Sequence, residues 1–149
     1  MEKIESFKID HTKLKKGLYV SRKDTFFLSC VTTFDLRMKT PYADKPLNPQ
    51  TAHALEHCLA TYLRNKRDDI IYTGPMGCMT GFYVVMFGDK GIREVIPSLI
   101  DAFEWVLQTE VVPGATMREC GNYTFMDLED ARCEAAAYLK VLRETLLSL

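Results

Sequence analysis

Hydrophobic residues recur along this chain with two periods, one typical of β-strands and the other typical of helices. β-branched and aromatic residues with partial alternation predict a strand over residues 29–38. Two further apolar segments, residues 70–73 and 82–87, predict two more strands on either side of a glycine-rich stretch. Because glycine lets the backbone approach a ligand, we expect the turn over residues 74–81 to lie near a binding site.

Three segments have the apolar spacing of amphipathic helices. The predicted helices cover residues 49 to about 64, residues 92–107, and residues from about 127 through 146. Asn48 and Asp127 are the expected caps of the first and third helices, because their side-chain oxygens can accept from free backbone N–H groups. Pro97 is expected to kink the second helix or to mark its true start. Loops are predicted over residues 40–48 and about 109–124.

The order of these elements predicts the fold class. Three helices and at least three strands, without regular strand-helix-strand alternation, indicate an α+β fold: a largely antiparallel sheet covered on one face by about three helices. The sequence shows no internal repeat or second domain boundary, so we expect residues 1–149 to form a single domain. A domain of this length buries roughly 68–70% of its unfolded surface, enough to fold without disulfides.

Composition and charge narrow the classes of function. The 19 basic and 20 acidic residues give a net charge of −1, which provides no field for nucleic acid or an anionic membrane and favours a small-molecule or protein partner. The amino-terminal residues are charged and no apolar run approaches the ~20 residues of a membrane span, so neither a secretory signal nor a membrane segment is expected. Five cysteines without framework spacing predict reduced thiols in the cytoplasm.

The histidines carry the strongest chemical signal. Residues 53–57 (HALEH) form a His-x-x-Glu-His pattern on the first long predicted helix, and residues four apart lie on the same helix face. His53 and His57 can therefore reach one metal ion, with the Glu56 carboxylate beside it. An exposed helix face that carries these side chains by chance is the weaker interpretation, because two of the three histidines in the chain form the pattern.

A catalytic metal site needs at least one further protein ligand and a position open to water or substrate. The candidates are Cys120, in a predicted loop that can fold back over the first helix, and a downstream carboxylate such as Glu129. A thiolate binds zinc or ferrous iron well. Taken alone, however, Cys120 could equally be a small buried hydrophobic residue, so the residues leave the third ligand open.

Cys78 lies in the glycine-rich turn, where a thiol can be exposed and where neighbouring backbone amides can stabilise a thiolate. It is therefore a candidate acid or base, although an isolated cysteine more often packs inertly. Cys30, Cys58 and Cys133 fall within strand or helix patterns, and we expect them in the core.

Five blocks of the sequence resemble the S-ribosylhomocysteine lyase (LuxS) family in order and spacing. The blocks are residues 6–12 (SFKIDHT), 34–37 (FDLR), 53–57 (HALEH), 75–83 (PMGCMTGFY) and 120–121 (CG). They are spread over most of the chain, and their joint occurrence is far more specific than any one of them.

The resemblance implies a homodimeric enzyme with two active sites at the subunit interface. Each site would contain one divalent metal, Fe²⁺ in the first place with Zn²⁺ or Co²⁺ as alternatives, held by His53, His57, Cys120 and a water. The implied reaction converts S-ribosylhomocysteine to homocysteine and 4,5-dihydroxypentane-2,3-dione by aldose-ketose isomerisation and β-elimination. That dione is the precursor of the quorum-sensing signal autoinducer-2, and the reaction belongs to methionine recycling.

The resemblance also implies roles for individual residues. Cys78 would carry protons during the isomerisation, and Glu56 would handle protons on the sugar hydroxyls and in the elimination. The implied substrate contacts are Ser6, His11, Arg37, Arg64 and Gly121. Chemistry agrees with this assignment, since a carbonyl shift develops negative charge that a Lewis acid stabilises and requires two proton carriers.

The sequence departs from the family just before the glycine-rich turn. The family usually has an aspartate and a serine where this chain has Tyr72 and Gly74, so a carboxylate for the amino group of the substrate is missing, and Asp69 would have to be reached by another route. Two other functions stay open. One is an inverzincin-type metallopeptidase, in which Glu56 activates water and Glu129 is the third ligand; the other is a non-catalytic metal-binding protein of the same fold.

Overall fold

Four strands and four helices make up the computed structural model, which describes residues 1–149. In chain order the elements are α1 (Glu5–Lys8), β1 (Gly17–Phe26), β2 (Ser29–Arg37), α2 (Pro49–Lys66), β3 (Ile70–Pro75), β4 (Gly81–Phe87), α3 (Ile92–Gln108) and α4 (Leu128–Ser148). This is the predicted α+β class, and the three long helices and the last three strands lie within a few residues of their predicted bounds.

The four strands form one antiparallel sheet in the order β1-β2-β4-β3. Two hairpins build it, since β1 pairs with β2 and β3 pairs with β4. At the centre, β2 and β4 pair with Arg37 opposite Gly81 and Val31 opposite Phe87. The end of β2 therefore lies beside the start of β4, where the glycine-rich turn ends.

One face of the sheet carries the apolar side chains that pack against the helices. Phe34 and Leu36 of β2 lie on the same face as Phe82, Val84 and Met86 of β4, because side chains alternate across a strand. All five are fully buried and belong to a core of 26 residues that includes a stripe from each long helix. The helices thus cover one face of the sheet, as predicted.

The two predicted caps differ in what they do. Asp127 accepts a hydrogen bond from the Asp130 backbone at 2.9 Å and so caps α4, as expected. Asn48 stands before α2, but its side chain accepts no bond from that helix. Helix α2 instead begins with Pro49, whose missing N–H removes one of the unpaired donors at a helix start.

Helix α3 begins at Ile92, so Pro97 does not mark its start. The Gly91 backbone N–H donates to the Glu94 carboxylate at 2.8 Å, which starts the helix more than one turn before the proline. Pro97 removes one backbone hydrogen bond, and the fully buried face of α3, which includes Leu99, keeps the helix continuous beyond it.

Two elements escape sequence analysis, α1 and β1. Strand β1 is an edge strand, and seven of its ten residues are exposed. Its charged residues Arg22, Lys23 and Asp24 protect an open sheet edge but hide the hydrophobic alternation. Helix α1 has four residues, none of them buried, so it is too short to show a helical period. No helix in the structure has the length and apolar composition of a membrane span.

The three cysteines expected in the core differ in exposure. Cys58 is buried, as expected, whereas Cys30 is half-buried and Cys133 is exposed, so for these two the expectation was wrong. Cys30 pairs with Thr25 near the exposed tip of the β1–β2 hairpin. Cys133 lies on α4 beside the buried stripe rather than within it, because the stripe passes through Ala131 and Ala135.

We predict that Gly81→Ala destabilises the fold by about 2–3 kcal/mol, within the range of overpacked sites. A Cβ atom at Gly81 would overlap the Leu36 carbonyl oxygen and lie 3.1 Å from its carbon, so β2 and β4 would have to separate. Gly77→Ala is the matched control, because a Cβ there meets nothing within 4 Å, and its effect should stay within about 0.5 kcal/mol. Urea unfolding measures both; equal midpoints would contradict the close approach of these strands.

Candidate metal centre and thiol site

Helix α2 carries His53, Glu56 and His57 beside its buried stripe. Ala54 and Leu55 are fully buried, which fixes the rotation of the helix about its axis. The two imidazoles, four residues apart, lie one above the other with ring centroids separated by 4.9 Å. Helix packing therefore decides the direction in which both rings point.

The loop after α3 folds back across α2 and brings a thiol to these imidazoles. Its end is tied to the start of α2, since the Asp127 backbone N–H donates to the Gln50 carbonyl at 3.1 Å. Within this loop Cys120 Sγ lies 3.5 Å from His53 Nε2. Three side chains, those of His53, His57 and Cys120, each offer one donor atom here, and these three atoms lie within 4.8 Å of one another.

The structure brings Cys120, and not Glu129, to the two histidines. Glu129 lies exposed on the first turn of α4, outside this group of donors. Tetrahedral bonds of about 2.3 Å to sulfur and about 2.0 Å to nitrogen would separate the two ligand atoms by about 3.5 Å, which matches the 3.5 Å between Cys120 Sγ and His53 Nε2. The three residues therefore fit one divalent metal and leave a ligand position open.

Two backbone carbonyls orient the imidazoles. His53 Nδ1 lies 2.7 Å from the Phe125 oxygen, and His57 Nδ1 lies 2.7 Å from the Pro113 oxygen. Because a carbonyl only accepts, each Nδ1 carries the hydrogen and each Nε2 keeps its lone pair for a metal. Gly114, at φ +68°, turns the chain after Pro113, and a Cβ there would lie 3.4 Å from His57 Nδ1.

The Glu56 carboxylate borders this group of donors. Its Oε2 atom lies 3.7 Å from His57 Nε2, and the side chain is about one-third exposed. Glu56 lines a cavity of about 400 Å³ together with His53, Tyr72 and Phe125. A carboxylate in this position can exchange protons with a molecule bound in that cavity.

The second cluster surrounds the thiol of Cys78, in the turn between β3 and β4. Thr80 Oγ1 lies 2.7 Å from Arg37 Nη1 and 3.1 Å from Cys78 Sγ, while Arg37 Nη1 is 4.0 Å from the sulfur. Asp35 holds the guanidinium through two hydrogen bonds of 3.1 and 2.5 Å. Both members of this ion pair are buried, although they lie on the sheet face opposite the helices.

These contacts favour the thiolate of Cys78. Burial raises the pKa of the thiol, but hydrogen bonds from the Thr80 side chain and backbone, with the charge of Arg37, outweigh burial and lower the pKa from its ordinary value. In contrast, burial raises the pKa of Cys58 to about 11. Since Cys78 is also exposed, it combines thiolate character with accessibility.

Within one chain, Cys78 and Glu56 line different cavities. Cys78 lines a cavity of about 380 Å³ that also contains His11. The adjacent residue, Met79, lines the cavity of Glu56. The turn between β3 and β4 is therefore a wall common to both spaces, and the two proposed proton carriers are not brought into one cavity.

Ser6 lies at a third cavity, of about 310 Å³, on the sheet face opposite the helices. Side chains from all four strands line this cavity, among them Tyr72, which also lines the Glu56 cavity. The phenol of Tyr72 lies across Gly74, where any Cβ would overlap its ring. The two departures from the family pattern are therefore one structural feature, because Tyr72 fills the space that a side chain at position 74 would need.

The structure leaves three other residues of interest outside these cavities. Arg64 is exposed near the end of α2, and Gly121 is exposed in the returning loop. Asp69 forms ion pairs with Arg67 at 2.7 Å and Lys90 at 3.4 Å. Hydrogen bonds from Arg67 lower the pKa of Asp69, so this carboxylate already has partners and does not line the cavities above.

Sequence reasoning misses several groups that shape the site. The carbonyls of Pro113 and Phe125 leave no signal, since every residue has a carbonyl. Asp35 and Thr80 stand inside the matching blocks, but their contacts with Arg37 require β2 and β4 to pair. The available signal was the spacing of Asp35 and Arg37, which places both side chains on one strand face.

Comparison with known proteins gives one consistent result. Residues 4–146 match the family model of S-ribosylhomocysteinase (LuxS). The S-ribosylhomocysteine lyase of Desulfotalea psychrophila is 49% identical over 142 residues, which covers 93% of this chain and 89% of the relative. The enzyme of that name from Finegoldia magna is 45% identical over 144 residues, which covers 95% of this chain and 92% of the relative. The enzyme of that name from Porphyromonas gingivalis is also 45% identical over 144 residues, which covers 94% of this chain and 91% of the relative.

Cys120→Ala should lower metal affinity by roughly tenfold or more, since loss of even an outer-shell partner has effects of that order. The variant keeps both imidazoles but loses the sulfur that lies 3.5 Å from His53 Nε2. Glu129→Ala is the control and should keep wild-type metal content. Elemental analysis of the purified proteins, with metal titration of the apo forms, gives both values. Metal loss in Glu129→Ala but not in Cys120→Ala would indicate the carboxylate site of a peptidase.

Proposed function

The chain belongs to the S-ribosylhomocysteinase (LuxS) family, and we propose that it cleaves S-ribosylhomocysteine to homocysteine and 4,5-dihydroxypentane-2,3-dione. The observation that carries the proposal is the presence of two different chemical groups in one chain: the metal donors His53, His57 and Cys120, and the activated thiol of Cys78. A carbon–sulfur lyase that first moves a carbonyl along a sugar uses both.

His53, His57 and Cys120 would hold one divalent metal, with Fe²⁺ proposed first and Zn²⁺ or Co²⁺ compatible with the same donors. When bound, the metal supplies Lewis-acid stabilisation of negative charge that develops on the sugar oxygens. The carbonyl contacts of Phe125 and Pro113 support this assignment, because they hold both Nε2 atoms in the form that can bind a metal.

Cys78 is proposed to move protons between neighbouring sugar carbons. As a thiolate it takes the proton from C2 of the open-chain aldose, and as a thiol it returns that proton to C1, which moves the carbonyl from C1 to C2. A second exchange, from C3 to C2, moves the carbonyl to C3. The thiolate is regenerated each time, and the lowered pKa of Cys78 supports both directions of transfer near neutral pH.

Glu56 is proposed to move the accompanying protons between hydroxyl oxygens. It then takes the proton from C4, which the C3 carbonyl has made acidic. The C5–S bond breaks, the electron pair leaves on sulfur, and the homocysteine thiolate takes up a proton. The remaining enol tautomerises to the dione. The cavity beside His53 supports this role, because it leaves the carboxylate accessible but partly shielded from water.

The proposed substrate contacts have unequal support. His11 lines the Cys78 cavity, and Arg37 reaches the thiol through Thr80. Ser6 lines the neighbouring cavity that contains Tyr72. Arg64 and Gly121 rest on the resemblance to the family alone. For the amino-acid end of the substrate, the Tyr72 ring offers a π-face to an ammonium group in place of the usual carboxylate.

The two alternative functions have less support. A metallopeptidase would need a carboxylate as third ligand, and Glu129 lies outside the donor group. It would also leave the contacts around Cys78 without a function. A non-catalytic metal-binding protein would keep the metal donors and have no turnover. An assay for release of thiol from S-ribosylhomocysteine separates the lyase from both alternatives.

We predict that Cys78→Ala slows homocysteine release by about 10²–10⁴-fold, the usual contribution of a proton carrier. Metal content and unfolding midpoint should not change, because Cys78 is exposed and is not a metal donor. Cys133→Ala, which also removes an exposed thiol, should keep wild-type activity, and Cys78→Asp should keep part of it. Thiol release at the wild-type rate by Cys78→Ala would remove the proposed role of Cys78. Metal binding without turnover in the wild type would support the non-catalytic alternative.

We also propose a homodimer with its active sites at the interface. The sheet face opposite the helices exposes Phe87 to 56%, and the adjoining hairpin tip exposes Phe26 and Phe27 to 75% and 87%. Homodimer interfaces are richer in apolar surface than the rest of a protein. The Ser6 cavity opens on the same face, so a second copy bound there would lie close to it.

Light scattering should therefore give a mass twice that of the chain at micromolar concentration. Phe87→Glu should shift the protein toward monomer, because a buried unpaired charge opposes association. Leu147→Glu is the control, since Leu147 is also apolar and is 88% exposed but lies at the end of α4. A monomeric wild type would contradict the interface proposal without affecting the assay of lyase activity.

A cytoplasmic location is part of the proposal. All five cysteines are unpaired, and the roles proposed for Cys78 and Cys120 require them to stay reduced. Thiols remain reduced in the cytoplasm. There the dione would be available as the precursor of autoinducer-2, and homocysteine would return to methionine recycling.

A further inference from the structure

Thr80 occupies the space between a buried positive charge and the proposed catalytic thiol. Its Oγ1 atom lies 2.7 Å from Arg37 Nη1 and 3.1 Å from Cys78 Sγ. The direct separation of the guanidinium nitrogen and the sulfur is 4.0 Å, at the limit of a sulfur hydrogen bond. The Thr80 hydroxyl is therefore better placed than the Arg37 guanidinium to form a hydrogen bond with the thiol.

The directions of these hydrogen bonds follow from the chemistry of the donors. A guanidinium has only N–H donors, so the Thr80 oxygen must accept from Arg37. The single hydroxyl hydrogen of Thr80 is then free to point at Cys78 Sγ. A hydrogen bond donated to an ionised sulfur is stronger than one between neutral groups, so this contact favours the thiolate over the thiol.

The buried ion pair of Asp35 and Arg37 fixes the guanidinium that donates to Thr80. Asp35 accepts two hydrogen bonds from Arg37, and the guanidinium is 2% exposed. A bidentate pair fixes the plane of the guanidinium as well as its position. Nη1 therefore points steadily at Thr80, which could not accept as good a hydrogen bond from a mobile surface arginine.

Backbone hydrogen bonds hold the turn at both Met79 and Thr80. The Thr80 carbonyl accepts from the backbone N–H groups of Met38 and Lys39 at 3.0 and 2.9 Å, and the Met79 carbonyl accepts from Leu47 at 2.7 Å. Met79 adopts φ +57°, a conformation that a non-glycine residue keeps only where its surroundings impose it. This constraint keeps the Cys78 and Thr80 side chains together.

We propose that Thr80 is a positioning residue for the reaction, whose hydroxyl donates to the Cys78 thiolate and transmits to it the charge of Arg37. The proposal deepens the lyase function and rests on it for the role of Cys78 as a proton carrier. The hydrogen bond itself is a property of the free protein and can be measured without substrate.

Other titratable groups also face the Cys78 thiol, and their effect on its pKa must be distinguished from the effect of Thr80. Asp35 and Arg37 approach from β2, and Tyr83 approaches from β4. His11 and Asp44 line the Cys78 cavity from the amino-terminal segment and from the loop after β2. A variant that removes only the hydroxyl at position 80 keeps all of these side chains. Among them only Arg37 loses a hydrogen bond, the one that Thr80 accepts, so the variant removes the proposed bridge and leaves the other groups in place.

The test is the rate of alkylation of Cys78 by iodoacetamide, followed by peptide mass spectrometry from pH 5.5 to 9.5 in metal-loaded protein. Thr80→Val should raise the apparent pKa and slow alkylation by about five- to tenfold at pH 7, as a shift of somewhat less than one unit does. The rates should converge at high pH, where both thiols are ionised. Thr80→Ser, which keeps the hydroxyl, should stay within about twofold of wild type.

Thr73→Val is the matched control. It removes another buried threonine hydroxyl, one that has no hydrogen-bond partner, and should leave the alkylation profile unchanged. Thr80→Ala provides a second deletion of the hydroxyl if the valine variant does not fold. Circular dichroism and metal content must match wild type for a variant to count.

The outcomes separate this proposal from the lyase function. The proposal is overturned if a folded Thr80→Val or Thr80→Ala variant has the wild-type pH profile of Cys78 alkylation. It is also overturned if alkylation slows as much in Thr80→Ser as in those two variants. Absence of homocysteine release by the wild-type protein would instead overturn the lyase function. In that case a slowed Thr80→Val profile would still show the hydrogen bond to Cys78.

Discussion

Burial of one face of α2 is the interaction on which both parts of the site depend. Leu55, Leu59 and Leu63 are fully buried, and each contributes roughly 1.5–3 kcal/mol relative to exposure, so α2 cannot rotate about its axis without a large loss of stability. That constraint points His53 and His57 at the loop that returns from α3. The same buried core includes Phe34 and Leu36 of β2 and Phe82 of β4, and the ends of these two strands position the second cluster. The site thus depends on a core that does not itself contain any of its chemistry.

The loop that carries Cys120 completes the group of possible metal donors and orients the imidazoles at the same time. Its backbone supplies the carbonyls that accept from His53 and His57, and its side chain supplies the third donor. Each of these contacts is modest, at about 0.5–1.5 kcal/mol for a hydrogen bond. Because one segment makes all of them, an ordered loop and oriented imidazoles require each other. A metal ion that binds all three side chains would stabilise the loop through the same linkage.

The buried Asp35–Arg37 pair differs from the apolar core in what it contributes to the protein. Burial raises the pKa of Asp35, and the hydrogen bonds from Arg37 oppose that rise. Two buried charges add little stability compared with apolar side chains of similar volume. What the pair provides is a positive charge that cannot move or be exchanged with solvent, one side chain away from an exposed thiol. An accessible Cys78 can thus have a lowered pKa because the groups that lower it are themselves shielded.

The sequence by itself determined the α+β class, the three long helices, the placement of the two histidines on one helix face, and the position of Cys78 in a glycine-rich turn. These features depend on local periodicity and on short blocks of side chains, which a sequence displays directly. It could not reveal β1, whose charged edge hides the strand period, or show that Cys120 and not Glu129 lies beside the two histidines. Nor could it show that Tyr72 covers Gly74, that Thr80 bridges Arg37 and Cys78, or that two carbonyls orient the imidazoles. Only the tertiary structure decided these points, because each depends on contacts between groups that helix packing, strand register or the backbone of a turn brings together.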